Sequence, residues 1–137
     1  MANSTSIQIL EDGAARTVLK FEGVLDTSDL SSTVLIDPSA QSSVDPTGSN
    51  YLKASKYRID KIIHNIEDLL SVNLFWDAAT PVRIEELEGR GKADYRDFGG
   101  LQNNATSPTG KITATTQGWS TGLILSFSLI LYLTKQY

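Results

Sequence analysis

The chain has 137 residues, no cysteine, one histidine and a formal net charge of −4. This length predicts a single domain spanning residues 1–137, which can bury roughly two-thirds of the surface that its unfolded chain exposes. The lack of cysteine excludes disulfides, thiolate metal sites and a cysteine nucleophile. Because the basic residues are interspersed with acidic ones rather than clustered, we expect no nucleic-acid binding.

Two strands are predicted near the N-terminus, over residues 7–10 and 17–25. Both stretches are rich in β-branched and large apolar side chains, and Leu19, Phe21 and Gly23 share one face of the second strand. A turn over residues 11–13 would join them. The first residues lack the basic region and long apolar run of a secretory signal, so we expect no export.

The composition changes between residues 26 and 50, where Ser, Thr, Asp, Pro and Gly dominate. Within this segment, Thr33–Ile36 has the composition of a short strand. Structureless loops longer than about 12–15 residues are uncommon in compact domains and are often functional. We therefore predict an extended loop or arm over residues 26–50 as a candidate partner-binding segment, with a merely flexible surface loop as the alternative.

Residues 58–70 carry an ambiguous pattern. The apolar residues here have helical spacing and would form one amphipathic stripe: Ile59, Ile62, Ile63, Ile66, Leu69 and Leu70. Four of the six are isoleucine, which packs well on pleated surfaces, and no clear N-cap precedes them. We predict a strand, with a helix as the alternative.

Two further strands are predicted over residues 71–76 and 81–87, separated by a turn. Val72, Leu74 and Trp76 share one face of the first of these strands, which places Trp76 in the core. Glycine-rich segments over residues 89–91 and 99–104 then bracket a short segment, residues 92–98. We interpret both glycine-rich segments as loops at one or both ends of a sheet.

The C-terminal part predicts a strand over residues 111–116, a turn over 117–122 and a long final strand over 123–135. Leucines and Phe127 occupy alternate positions on one face of that last strand, which is the strongest periodic signal in the sequence. Ser126 and Ser128 interrupt this apolar run, which is shorter than the roughly 20 residues of a membrane-spanning helix. We therefore expect no membrane partner.

About eight short strands with intervening turns and a long loop in the N-terminal half predict an all-β fold. The pattern indicates an antiparallel β-sandwich, and it leaves jelly-roll-like and immunoglobulin-like topologies open.

Three features of the sequence resemble catalytic or ligand-binding motifs. Residues 118–122 fit G-x-S-x-G, but a strand follows where the nucleophile elbow needs a helix, and no Asp, Glu or His follows Ser120. Residues 89–92 resemble a phosphate-binding loop, but Glu86 and Ala93 stand where that motif needs Gly and Ser or Thr. A lone histidine, His64, is a poor basis for a zinc site. We predict no enzymatic activity, no cofactor and no metal.

Two aromatic residues next to polar loop residues are candidates for recognition. Trp119 lies in the predicted turn and Tyr95 between the glycine-rich loops, where exposed rings could stack on sugars or anchor a protein interface. The alternative for Trp119 is packing over the end of the sandwich.

Several segments together resemble a family of small tailed-bacteriophage virion proteins encoded near head genes. The resemblance covers nearly the whole chain and lies in GVLDTSD at 23–29, WDA at 76–78 with Thr80 and Pro81, GRG at 89–91, FGGLQNN at 98–104 and TQGW at 116–119. It implies a non-enzymatic structural protein, made in the host bacterial cytoplasm and assembled on the capsid surface. The implied role is that of a capsid cement or decoration protein.

That role predicts the major capsid protein as the partner, together with self-association or symmetric clustering on the capsid. The candidate interface residues come from the arm, the glycine-rich region and the last turn: Asp37, Pro38, Asp45, Pro46, Arg90, Tyr95, Phe98 and Trp119. The alternatives are a neck or tail component, and a carbohydrate-binding module that uses Trp119 and Tyr95.

Overall fold

The computed structural model describes residues 3–13, 15–38 and 55–136. Within these ranges the chain forms nine strands and a short 3₁₀ turn at Arg96–Phe98, and all neighbouring strands are antiparallel. The strands are β1 (Ser4–Asp12), β2 (Arg16–Leu25), β3 (Thr33–Ile36), β4 (Lys56–Ile66), β5 (Ser71–Ala78), β6 (Val82–Glu88), β7 (Arg90–Asp94), β8 (Pro108–Gln117) and β9 (Leu125–Gln136). The predicted all-β antiparallel sandwich is confirmed.

The strands form two sheets that pack face to face. The five-stranded sheet has the order β1-β2-β9-β4-β7, and the four-stranded sheet has the order β3-β8-β5-β6. In chain order β2 pairs with β9, β3 with β8, β4 with β7 and β5 with β6. The chain from β2 to β9 therefore has the pairing of one long hairpin, with its tip between β5 and β6, whose strands are distributed over two sheets.

This winding is the jelly roll, an eight-stranded double sheet. An immunoglobulin-type sandwich divides its strands differently, with the first, second, fifth and fourth strands in one sheet. The strand order thus distinguishes the two topologies that the sequence pattern left open. β1 is a ninth strand, added beside β2 at the edge of the five-stranded sheet.

The core lies between the sheets and is built by simple alternation along the central strands. In β9, every second residue from Leu125 to Leu133 is at most 5% exposed. In β5, Val72, Leu74 and Trp76 are buried, as predicted from their alternation. Because both strands have neighbours on each side, their backbone groups are satisfied while these side chains fill the core.

Residues 67–70 form a turn, and β4 resolves the ambiguity over residues 58–66 in favour of a strand. It pairs with β9 along one side and with β7 along the other. The register against β9 shifts between Ile59 and Lys61, and such a bulge moves the following side chains to the opposite face. Ile59 and Ile62 are therefore both buried although they are three residues apart, which explains the helix-like spacing.

The first part of the predicted arm is tied to the sandwich. Thr33–Ile36 is a strand, as predicted, and pairs with β8. Before it, the side-chain oxygen of Asn3 accepts hydrogen bonds from the backbone N–H groups of Asp26 and Thr27 at 2.9 and 3.0 Å. The rest of the arm, residues 39–50, lies outside the described residues.

Several predicted boundaries were wrong, among them the end of the strand predicted over residues 58–70 and the start of the one predicted over 111–116. Glu11 and Asp12 belong to β1 rather than to the first turn, and Arg90 and Gly91 belong to β7 rather than to a loop. The final strand begins at Leu125 rather than at residue 123. In β1 and β7, cross-strand pairing with β2 and β4 extends the strand through residues of low β propensity.

Candidate interaction surfaces

One candidate surface is the loop that follows β7, residues 95–101, which is held firmly against β4. The backbone N–H of Tyr95 donates to the carbonyl of Asp60 at 2.8 Å. Ile59 and Leu101 exchange two backbone hydrogen bonds, of 3.0 and 2.7 Å. The loop is thus an extension of the sheet edge, and its conformation is set by the strand beneath it.

Phe98 lies at the end of the 3₁₀ turn in this loop and is 82% exposed. The turn closes with the N–H of Gly99 donating to the carbonyl of Arg96 at 3.1 Å. An aromatic ring that is displayed on a fixed backbone loses little conformational entropy when a partner covers it. Phe98 therefore has the properties of an interface anchor.

Gly100 makes the close approach of this loop to β4 possible. Its φ is +87°, and a Cβ atom built at this position would lie 2.4 Å from Cδ of Arg58. Residues with a side chain rarely adopt this backbone conformation, and here the space is also filled. The glycine pair at 99–100 is therefore a structural requirement of the loop that carries Phe98.

Arg96, in the loop close to Phe98, is paired with Asp94, the last residue of β7. Arg96 donates to both carboxylate oxygens of Asp94, at 2.9 Å from Nε to Oδ1 and 2.5 Å from Nη2 to Oδ2. These hydrogen bonds from the guanidinium hold the pKa of Asp94 well below its usual range. At neutral pH the pair is fully ionised and stays exposed next to the ring.

Tyr95 closes the side of the sandwich between the two sheets. Its hydroxyl donates to Oε2 of Glu85 in β6 at 2.9 Å. Burial, together with this hydrogen bond to a carboxylate, raises the pKa of Tyr95 to about 12. The hydroxyl of Tyr95 thus already has a hydrogen-bond partner within the protein.

Trp119 lies at the other end of the sandwich. Its indole Nε1 donates to the carbonyl of Leu123 at 2.9 Å, and its backbone N–H donates to Asp29 at 3.2 Å. The ring is partly buried and packs against the core. The structure therefore places Trp119 over the end of the core, which was the alternative to an exposed anchor.

The predicted interface residues do not form one surface. Asp37, Pro38, Tyr95 and Phe98 lie toward the end where β4 begins, with Pro38 buried and close to Gly110. Arg90 and Trp119 lie toward the opposite end, where β4 pairs with β7 and where β8 ends. Asp45 and Pro46 lie outside the described residues.

β1 forms a further candidate surface, which was not predicted from the sequence. All nine of its residues are exposed, and in the described part of the chain β1 pairs with β2 alone. Ile7 and Ile9 are 41% and 42% exposed, although they lie opposite Phe21 and Leu19, which are fully buried. The sequence signal for this surface was the run of uncharged residues from Ser4 to Leu10.

Two open grooves lie near the end where β4 stops. A groove of about 520 Å³ on the outer face of the five-stranded sheet is lined mainly by hydroxyl and carboxylate side chains, including Ser6, Glu22 and Ser126. A second groove, of about 740 Å³, carries Glu67, Glu86 and other acidic residues. Among residues 3–13, 15–38 and 55–136, no group of three or more His, Cys, Asp or Glu could hold a metal ion.

Comparisons with known proteins give no relative for this chain. No family model matches it, and neither a curated protein nor a solved structure is significantly similar to it. In the described residues, no helix is long and apolar enough to cross a membrane.

Proposed function

We propose that this chain is a non-enzymatic structural protein of a tailed-phage virion, namely a decoration protein that binds the major capsid protein on the outside of the head. The observation that carries the proposal is the jelly-roll pairing of β2 to β9. This architecture is used by viral capsid domains, and also by lectins. The step from fold to function is an analogy, and it agrees with the sequence segments that resemble phage virion proteins.

The contact surface in this proposal is the loop after β7. A decoration protein stabilises a shell by burying surface against neighbouring capsid subunits, which raises the free energy needed to separate them. Exposed aromatic anchors contribute a large share of the binding energy of such interfaces. Phe98 is the most exposed large apolar side chain among the described residues, and the loop beneath it is fixed by hydrogen bonds to β4.

Carbohydrate binding, as in lectin jelly rolls, is the second candidate function. The positions and the hydrogen bonds of Tyr95 and Trp119 argue against it. Tyr95 and Trp119 follow β7 and β8 toward opposite ends of the sandwich, so the two rings cannot form one platform for a sugar. The polar atoms with which they would recognise a sugar hydroxyl already bind Glu85 and Leu123. A glycan array without hits is therefore the result we expect.

The first test is the copy number of this chain in purified virions, relative to the major capsid protein, by quantitative mass spectrometry. A ratio near one, or a simple fraction of one, is expected because decoration proteins occupy positions of the capsid symmetry. A handful of copies per virion would instead assign the chain to the neck or tail. Absence from the virion would overturn the proposal.

The second test concerns the anchor itself. Phe98→Ser should lower occupancy on capsids that lack the wild-type protein by roughly tenfold or more, because truncating an anchor residue typically costs at least about 2 kcal/mol of binding. Phe98 is exposed, so the fold should be unaffected. Ile124→Ser is the matched control, since Ile124 is also an exposed apolar residue but precedes β9 at the other end of the sandwich. Equal occupancy of the two variants would remove Phe98 from the interface.

A further inference from the structure

The sheet edges in the described part of the chain differ in how they are protected against pairing. Natural sheets protect their edges by keeping edge strands short or by placing charged residues on them. β3 has four residues and β7 has five, of which Arg90, Lys92 and Asp94 are charged. β6 carries Arg83 and three glutamates. These three edges are therefore protected.

Over most of its length, the β1 edge has neither kind of protection. It has nine residues, and the stretch from Ser4 to Leu10 contains no charged residue and no proline. Every second residue of an edge strand directs its N–H and C=O groups away from the sheet. β1 therefore presents a row of backbone donors and acceptors that matches another strand.

We propose that β1 pairs with β1 of a second copy of this chain, so that two five-stranded sheets join into one ten-stranded sheet across a two-fold axis. The proposal deepens the expected self-association, and it does not depend on the chain being a virion protein. The backbone of β1 and three features of its sequence favour a second β1 as the strand that pairs with this edge.

The first feature is the apolar row on the core side of β1. Thr5, Ile7 and Ile9 lie opposite Gly23, Phe21 and Leu19 of β2, so they face the same side as the core. No strand of the second sheet pairs with β1 or makes extensive contact with it, and the two isoleucines stay about two-fifths exposed. A second β1 would continue this row and cover the isoleucines from the free side.

The second feature is the register that the β-bulge allows. Residues paired across antiparallel strands lie on the same face, and β1 alternates regularly until the register shift between Ile9 and Glu11. An axis through Ile7 pairs Ile7 with itself, Thr5 with Ile9 and Ser6 with Gln8. This register uses the regular part of the strand and places apolar side chains together on the core side.

The third feature is the position of the negative charge. Glu11 and Asp12 lie at one end of β1, and Asp12 already binds Nζ of Lys135 at 2.6 Å. In the antiparallel register both residues fall outside the paired stretch of each copy. A parallel pairing in register would instead place Glu11 opposite Glu11, and like charges directly opposite each other are destabilising.

Charge substitutions at the axis test the pairing. In sedimentation equilibrium of the full chain, we expect a dimer that is weakened at least about tenfold by Ile7→Lys, and likewise by Ile7→Glu, because each places like charges opposite each other at the axis. An equimolar mixture of the two variants should regain the dimer, which a merely destabilised strand would not do. Ile124→Lys, an exposed position away from β1, should leave the dimer unchanged.

Cysteine pairs test the register even if the charged variants fold poorly. The chain has no native cysteine, and Ser6 and Gln8 are exposed. Under mild oxidation a mixture of Ser6→Cys and Gln8→Cys should form a mixed disulfide, whereas Ser6→Cys alone should not, since an offset of two residues puts its Cα atoms beyond the roughly 7 Å that a disulfide can span.

Three outcomes would overturn the proposal. A wild-type chain that is monomeric at about 1 mM excludes the self-pairing. A dimer that Ile7→Lys leaves intact moves the contact to another surface. Efficient disulfide formation by Gln8→Cys alone excludes the axis through Ile7. A virion copy number of zero would not affect any of these results, so failure of this proposal and failure of the proposed function are distinguishable.

Discussion

The protonated hydroxyl of Tyr95, which follows β7 in one sheet, forms a hydrogen bond to Glu85 in β6 of the other sheet. The pKa of Tyr95 is raised to about 12, mainly by burial. The unfolded chain releases this proton near the ordinary tyrosine pKa of 10.0. Between about pH 10 and 12 the folded protein therefore binds the proton more tightly than the unfolded chain does, so the stabilising contribution is complete below pH 10 and is lost as the pH rises to 12.

The absorbance of tyrosinate at alkaline pH checks this prediction. Comparing Tyr95→Phe with the wild type should show the loss of one phenol that ionises near pH 12. Because burial is the larger cause, Glu85→Gln should lower this pKa only in part, to a value that stays above 10. If the absorbance difference between the wild type and Tyr95→Phe titrates near pH 10 instead, the Tyr95 ring is solvated and its hydroxyl is not bound to Glu85.

The individual side chains of the candidate surfaces were only partly predictable. Phe98 and Trp119 are both aromatic residues in glycine-containing loops, and the sequence gives no way to rank their exposure. The difference arises in three dimensions, since the Trp119 indole finds the carbonyl of Leu123 whereas Phe98 projects from a turn that binds β4 through its backbone. Residue type predicts which side chains can serve as anchors, and packing decides which of them does.

Among the elements, the turn between β8 and β9 depends on Gly118. Its φ is +109°, and a Cβ atom at this position would lie 1.9 Å from the carbonyl oxygen of Leu69. We expect Gly118→Ala to lower the free energy of unfolding by about 3 kcal/mol, from the backbone strain and the clash together. Chemical denaturation measures this difference.

Gly89 provides the matched control for this prediction. Its φ is +63°, but a Cβ atom there would meet nothing within 4 Å. Gly89→Ala should therefore cost about 1–2 kcal/mol, the penalty for the left-handed conformation alone. Equal losses for both variants would mean that the contact with Leu69 relaxes without cost.

A comparison of β4 with β9 shows when alternation of apolar residues identifies a strand and its buried face, and when it does not. β9 is regular, so its alternating leucines identify both the strand and its buried face. In β4 the bulge near Asp60 breaks the alternation, and the resulting spacing imitates a helix. A bulge is set by pairing with a neighbouring strand, which a local pattern does not contain.

At the scale of the whole molecule, the sandwich was predictable and its winding was not. Strand patterns and turn signals indicate two packed sheets, but the choice between jelly roll and immunoglobulin topology depends on which distant strands pair. Arg16 lies opposite Thr134, and no local feature of either segment predicts that contact. The exposed edge at β1 follows from the same cause, since an edge exists only once the strand order is known.

This winding also predicts the order in which the sandwich forms. The β5–β6 hairpin closes a short loop, with Trp76 opposite Val82, whereas β2 and β9 close a loop that spans most of the chain. The entropic cost of closing a loop grows with its length, and non-local pairing slows folding. The hairpin should therefore be formed in the folding transition state, and the β2–β9 pairing should be completed after it.

Two core leucines test this order. Leu87 lies in β6 and Leu131 in β9, and both are buried, so either Leu→Ala substitution should destabilise the protein by about 2–5 kcal/mol. Stopped-flow folding and unfolding rates should show that Leu87→Ala mainly slows folding, with a φ value above about 0.5, whereas Leu131→Ala mainly accelerates unfolding, with a φ value below about 0.3. The reverse ranking would mean that the long-range β2–β9 pair nucleates the fold, and that the hairpin tip docks onto a sheet that already exists.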